Sequence, residues 1–286
     1  MLIPSLLRIL LTRSFQPFTF IDKPHTELDF AALQDLGLYM HIPFCRTLCS
    51  FCPYNKVLFN EQLAEQYKAA LIKEIEMVGS QLEKKKPVTS LYVGGGTPAL
   101  MADSLKEIID TIKKYFIIEH GIGVELHPDD ISPQAIALLQ EAGVNMISVG
   151  IQSFNRQCLA ALGRTDNDYS LAIDLLSRSG FEVIDIDLIF ALPGQTDQML
   201  LNDIETAFGY GATQVSTYPF IEFSFNRNGC KPLSAREKKR MLRAIAEYCE
   251  ESGRERTSVW TFALKNTDKY SSITRDHFLG FGASAT

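Results

Sequence analysis

Three cysteines crowd into the stretch HIPFCRTLCSFCPYNK, residues 41–56, with the spacing C-x3-C-x2-C at Cys45, Cys49 and Cys52. Thiolates are soft ligands suited to zinc and to iron–sulfur centres. Four readings compete. A closed zinc site wants a fourth Cys or His, and the nearest, His41, lies in a strand. A redox pair through Cys49 and Cys52 leaves Cys45 without a part. Chance clustering of buried cysteines is the third reading. The fourth is a cubane iron–sulfur cluster on three thiolates. We take the cluster first and zinc second. Cys158, Cys230 and Cys249 are scattered and read as small buried hydrophobes.

A three-thiolate cluster leaves one iron open, and an open position marks a metal that takes up a substrate or cofactor. A molecule carrying an amine and a carboxylate could chelate that iron, and S-adenosylmethionine (SAM) is such a molecule. One electron passed into its sulfonium would break the C5′–S bond and leave a 5′-deoxyadenosyl radical, with the protein supplying orientation.

The elements that must position such a site alternate along the chain. Strands are expected at 37–42, 88–96, 123–128, 145–154, 182–194 and 213–220. Helices are expected at 60–80, 102–116 (opened by Asp103 and Ser104), 132–143, 168–180, 196–209 and 234–253, with a last strand at 257–264. At 132–143 a serine cap, a proline at the first helical position and a closing glycine mark both ends. Strands alternating with helices argue for βα units and a parallel sheet. No Gly-rich turn follows the first strand, so a doubly wound sheet fits less well than a partial (β/α)6 TIM-like barrel. The unusual residues sit at strand ends: the cysteine loop, Gly94–Thr97, Glu125 and His127, Gln152, Pro193–Gly194 and Tyr218, with Asp185 and Asp187 within the fifth strand. In a parallel barrel those ends share one face, where sites form.

Composition bounds the function class. At 46% hydrophobic and 22% charged residues, the 286-residue chain can bury a sizeable core. A net charge of −6 argues against nucleic acid or an acidic membrane as the main partner. No apolar run is long enough for a membrane span. The opening MLIPSLLRILLTRSF reads as an amphipathic helix, not a signal peptide, because its arginines fall within and after the apolar run. Close cysteines in a reducing compartment suit a metal site, so a cytoplasmic location is expected.

The cysteine spacing, with Phe51 before the last cysteine, resembles the radical SAM superfamily. YMHIPFC (39–45), GGGTP (94–98), VGIQSF (149–154) and DIDLIFALPGQT (185–196) resemble its oxygen-independent coproporphyrinogen III oxidase-like branch, which includes haem chaperone-like proteins and related methyltransferases. The resemblance runs from about residue 37 to 220. It implies a [4Fe-4S] cluster on Cys45, Cys49 and Cys52, and one or two SAM molecules. It places Gly95, Gly96 and Thr97 at the SAM amino group, Phe51 near the adenine, and Glu125, Gln152, Arg164 and Asp187 as further SAM contacts. Tyr39 is taken both as a SAM neighbour and as a catalytic residue, and His41 as ordering the cluster loop. Implied partners are a small-molecule substrate such as a tetrapyrrole, and an electron donor such as flavodoxin or ferredoxin.

Two departures from that branch bear on the reaction. Tyr54 stands where the oxidase tends to have another cysteine, and His127 stands where the branch commonly has aspartate. His127 reads as a local variation or a proton donor. The aromatic segment STYPFIEFSFNRN reads as packing. The expected organisation is an N-terminal extension at 1–35, a core barrel at 36–220, and a C-terminal region at 221–286, apparently shortened. The expected activity is SAM cleavage with a coproporphyrinogen-oxidase-like outcome. Methyl transfer and haem binding without turnover are the alternatives.

Overall fold

The computed structural model describes residues 30–164, 169–222, 229–267 and 277–285. The expected helix at 1–15 lies outside the described residues, as do residues 223–228 of the aromatic segment.

In chain order, β1 (Leu36–Ile42) and β2 (Phe44–Cys45) enter the cysteine loop and β3 (Val57–Leu58) leaves it. There follow α1 (Glu61–Gly79), β4 (Lys86–Val88), β5 (Leu91–Gly95), α2 (Ala102–Tyr115), β6 (Phe116–Ile118), β7 (Ile122–Leu126), α3 (Pro133–Glu141) and β8 (Met146–Gln152). The second half holds α4 (Arg156–Ala161), α5 (Ser170–Ser177), β9 (Val183–Phe190), α6 (Asp197–Gly209), β10 (Gln214–Pro219), α7 (Ala235–Glu251), β11 (Glu255–Arg256), β12 (Thr261–Ala263) and β13 (His277–Phe281).

Nine strands form one sheet in the order β11-β12-β10-β9-β8-β7-β5-β1-β13. The six strands β1, β5, β7, β8, β9 and β10 pair in parallel, in chain order. The expected partial (β/α)6 barrel is present as an open sheet, whose edge strands β11 and β13 do not pair among the described residues. Strands covered on both faces read as continuous apolar runs, and six of the seven residues of β1 are buried.

Local chemistry sets the helix ends. Asn60 Oδ1 accepts the Leu63 N–H at 2.9 Å, and Ser132 Oγ accepts that of Ala135 at 3.1 Å. Ser234 and Glu237 cap each other reciprocally at the start of α7. α2 departs from expectation: neither Asp103 nor Ser104 caps it, and it starts at Ala102 after a 3-10 turn, Pro98–Met101. The tighter turn leads the chain straight into the helix.

Two strand expectations are corrected. The 88–96 run is not one strand, because Lys86–Val88 pairs with β6 in a separate two-stranded sheet while β5 begins at Leu91. The glycine-rich segment at 277–281 is itself a strand, parallel to β1. Glycines and partial exposure hide its period from a sequence pattern.

Candidate functional site

The cysteine loop is pinched at its base. Cys45 is the last residue of β2, and β2 pairs in parallel with β3, Phe44 opposite Val57 and Cys45 opposite Leu58. The Val57 N–H donates to Pro43 O at 2.8 Å and the Phe59 N–H to Cys45 O at 2.9 Å. Within the loop the Cys52 N–H donates to Cys49 O at 3.4 Å, and Lys56 Nζ donates to Cys52 O at 2.7 Å. Arg46 Nε ties the loop to Asp130 beyond β7 at 2.6 Å. All three cysteines are half-buried free thiols, and Tyr54 is largely exposed.

His41 anchors the far side of the loop. Its Nε2 lies 2.9 Å from Asn55 O, a pure acceptor, so Nε2 carries the ring proton. Nδ1 then accepts from the Tyr39 hydroxyl at 2.9 Å. Burial pushes the His41 pKa down, which keeps the ring neutral, and burial pushes the Tyr39 phenol up, with Glu125 adding to it. The Tyr39 proton is thus committed to bracing His41. The C-terminal segment joins the brace: Asn55 Nδ2 donates to Ser284 Oγ at 3.1 Å, and Tyr67 donates to His41 O at 2.7 Å while accepting the Ala283 N–H at 3.0 Å.

The glycines at the end of β5 have a steric cause. A Cβ on Gly96 would stand 2.5 Å from Phe44 O, and one on Gly95 would stand 2.4 Å from the His41 ring. Gly95 also has a positive φ of 110°. The close approach lets the Gly96 N–H donate to Ile42 O at 2.8 Å and the Thr97 N–H to Phe44 O at 2.7 Å. It also brings the Thr97 hydroxyl to the Cys45 thiol. Glu125, at the end of β7, accepts the Gly95 N–H at 3.0 Å and the Tyr92 hydroxyl at 2.5 Å. Burial pushes its carboxyl above the ordinary range, while those two donors oppose the shift.

β8 and β9 add a second polar group. Ser148 Oγ donates to Asp187 Oδ2 at 2.7 Å. The Asp187 carboxyl is held well above the carboxylate range, first by burial and then by the charge of Asp185. Asp185 takes Gln214 Nε2 at 2.8 Å and Ser216 Oγ at 2.7 Å, both on Oδ2. β8 loses register with β9 at its end, where Gln152 takes a φ of +75°. Arg164 Nη1 donates to Gly150 O at 2.7 Å, and Nη2 meets His127 Nε2. Phe51 packs with the apolar group of Cys158, Leu162, Ile189, Leu192 and Phe220.

Sequence reasoning passed over Asp203 of α6. Its carboxylate accepts Ser153 Oγ at 2.5 Å and the Phe154 N–H at 2.9 Å, which fixes the turn just after Gln152. No local pattern links it to residues about fifty positions earlier. Burial pushes its pKa up from 3.8 to about 6. An acid with a raised folded pKa stabilises the fold fully below its unfolded value, and that stability is lost as pH rises through the folded value. Between pH 4 and pH 7, the stability of the wild type relative to Asp203→Asn should therefore fall by about 2 kcal/mol. Urea unfolding at both pH values checks this; a constant difference would remove Asp203 from the account.

The donor set fits a cluster better than a single ion. Among the described residues, no three His, Cys, Asp or Glu side chains converge tightly enough to hold one metal ion. A cubane is larger, and takes one thiolate on each of three irons. Burial pushes the Cys45 thiol up to about 11 and raises Cys52 too, with the neighbouring cysteines adding. Thiols crowded this way need a cationic centre to be held as thiolates, and a metal centre supplies it.

The comparisons with known proteins identify the family and the fold. The radical SAM superfamily matches residues 39–207. The haem chaperone HemW of Lactococcus lactis strain IL1403 is 32% identical over 263 residues, covering 87% of this chain and 68% of its own. Anaerobilin synthase of Escherichia coli O157:H7 is 37% identical over 188 residues, covering 63% of this chain and 42% of its own. Among solved structures, coproporphyrinogen III oxidase HemN from Escherichia coli superposes with a TM-score of 0.75 at 26% identity, over 87% of this chain and 64% of that one. This chain thus spans about two thirds or less of those relatives' length. No described helix is long and apolar enough to cross a membrane. With the matched span running from Tyr39 through the cysteine loop to α6, this chain belongs to the radical SAM superfamily, whose members use a [4Fe-4S] cluster and SAM.

Proposed function

We propose that Cys45, Cys49 and Cys52 hold a [4Fe-4S] cluster and that SAM binds beside it, on the face formed by the ends of β1, β5 and β7. One observation carries this reading: the Thr97 N–H donates to Phe44 O, next to Cys45, while Glu125 of the next motif accepts the N–H of Gly95 in the same turn. Three separated motifs thereby meet at one point. When bound, the cluster and SAM supply a 5′-deoxyadenosyl radical for hydrogen abstraction. The chain's residues bind and orient. Glu125 and the Gly95–Thr97 turn face the methionine end of SAM, Phe51 stands by the adenine, and Gln152, Arg164 and Asp187 bind SAM or a second molecule of it. Tyr39 serves by holding His41, and through it the loop. The substrate is a tetrapyrrole, and the electron donor is a flavodoxin or ferredoxin. The likeness to HemN over 87% of this chain supports an oxidase-like outcome.

A second reading has its own support. HemW, named a haem chaperone, matches 87% of this chain. In that reading the cluster is retained and haem is bound without turnover. The two separate in one experiment. Cluster-loaded protein, reduced anaerobically with dithionite and given SAM, is expected to form 5′-deoxyadenosine over many turnovers. Absence of that product, together with tight haem binding by titration, would establish the chaperone reading instead.

A further inference from the structure

Two cations flank the cysteines, Arg46 and Lys56. The charge of the first is cancelled, because Arg46 Nε donates to Asp130 Oδ1 at 2.6 Å. Lys56 Nζ donates instead to a neutral acceptor, Cys52 O, at 2.7 Å, and no carboxylate pairs with it among the described residues. Its place is fixed from the next residue, where the Val57 N–H donates to Pro43 O at 2.8 Å and β3 pairs with β2. The lysine thus folds back by four residues onto the last cysteine of the loop. An ammonium has three donors, and Cys52 O takes one. The ammonium also reaches the Cys52 sulfur, and its charge bears on Cys45. Burial first raises the Cys52 thiol, while the Tyr54 N–H and Lys56 act against that rise. Lys56 is half-buried, which limits the screening of its charge by salt.

Reduction of an iron–sulfur cluster adds one electron from the donor and makes or breaks no bond. The reduced centre is more negative by one charge, so a fixed cation beside a ligating sulfur favours it. Net charge and hydrogen bonds at the sulfurs are among the features that set such potentials. We propose that Lys56 tunes the cluster: its uncompensated ammonium, held by Cys52 O against the Cys52 sulfur, raises the reduction potential and eases uptake of the donor's electron. This deepens the reading above and rests on it, because it needs a cluster on the three thiolates.

The test uses the full cluster-loaded chain under anaerobic conditions, without SAM. Wild type, Lys56→Arg, Lys56→Gln and Lys56→Met are titrated with redox mediators. The midpoint is read from the electron paramagnetic resonance of the reduced cluster. Lys56→Gln keeps a donor for Cys52 O but not the charge, and Lys56→Met keeps neither. Both should shift the reduction equilibrium towards the oxidised cluster by about tenfold, a fall of about 59 mV for one electron. Lys56→Arg should stay within about threefold of wild type, because it keeps the charge. A lysine that only closes the loop would change iron per chain or Tm and leave the midpoint of the loaded fraction where it was. Equal midpoints in all four proteins, or a fall in Lys56→Met alone, would overturn the role of the charge. So would neutral variants that take up no iron while Lys56→Arg does, which would make Lys56 an assembly residue. A wild type that holds no iron would instead remove the cluster reading on which the proposal stands.

Discussion

Replacing Cys49 by alanine is expected to remove the brown absorbance of the cluster and leave the sheet folded. Iron per chain should drop to background, and 5′-deoxyadenosine formation should fall by at least about 100-fold, the scale on which even an outer-shell partner of a metal acts. The separation of the two effects follows from where the thiol sits. Cys49 is half-buried in a loop whose base is closed by β2 and β3 and whose flank is held by His41, so removing its sulfur opens no core cavity. Cys158 supplies the contrast: it is 1% exposed and packs with Leu162, Ile189 and Phe220. Cys158→Ala should cost about 1 to 2 kcal/mol of stability and leave iron content unchanged. Circular dichroism with iron and absorbance on both variants decides. Full iron in Cys49→Ala would refute the three-thiolate assignment.

The same comparison shows what a sequence can carry. The βα rhythm was legible because parallel strands buried on both faces are mostly apolar, and β1, β8 and β9 are so apart from polar residues such as His41, Ser148, Gln152, Asp185 and Asp187. The gathering of the cysteines, Gly94–Thr97, Glu125 and Asp187 on one face was legible because strand ends in such a sheet share a face. The supports of that face were not legible. Tyr92 reaches Glu125 across 33 residues, Asp203 reaches Ser153 across 50, and Asn55 reaches Ser284 across 229. Each is an ordinary polar residue in its own neighbourhood, and only the fold makes it a partner. The role of the C-terminal segment was missed for the same reason. A glycine-rich tail looks like a terminus, yet Gly282 donates its N–H to Glu74 at 2.8 Å and its neighbours hold Tyr67 and Asn55 against the cysteine loop.

Gly96→Ala should be the most damaging single methyl group in the site. Three backbone atoms, Phe44 O, Phe44 N and Pro43 C, would lie within 2.8 Å of the new carbon. A side chain in the way can rotate; a backbone carbonyl held in the β2–β3 pair cannot. Relief requires β5 to draw away from β2, which breaks the Thr97 N–H bond to Phe44 O and takes the Thr97 hydroxyl from Cys45. The cost should be about 2 to 4 kcal/mol, lowering Tm by roughly 5 to 15 °C, with cluster uptake reduced in parallel. Gly94→Ala is the control that separates crowding of backbone from crowding of side chains. Its Cβ would meet Glu125 and Tyr92 side-chain atoms at 2.8 Å, and both can shift. That variant should keep its cluster and most of its Tm, and lose affinity for SAM as Glu125 is displaced from the Gly95 N–H. Calorimetry, iron content and SAM dialysis on the pair distinguish the two effects. Equal Tm values for Gly96→Ala and wild type would mean that β5 does not need to pass so close to the cysteine loop. The GGGT turn would then owe its glycines to the ligand and not to the loop.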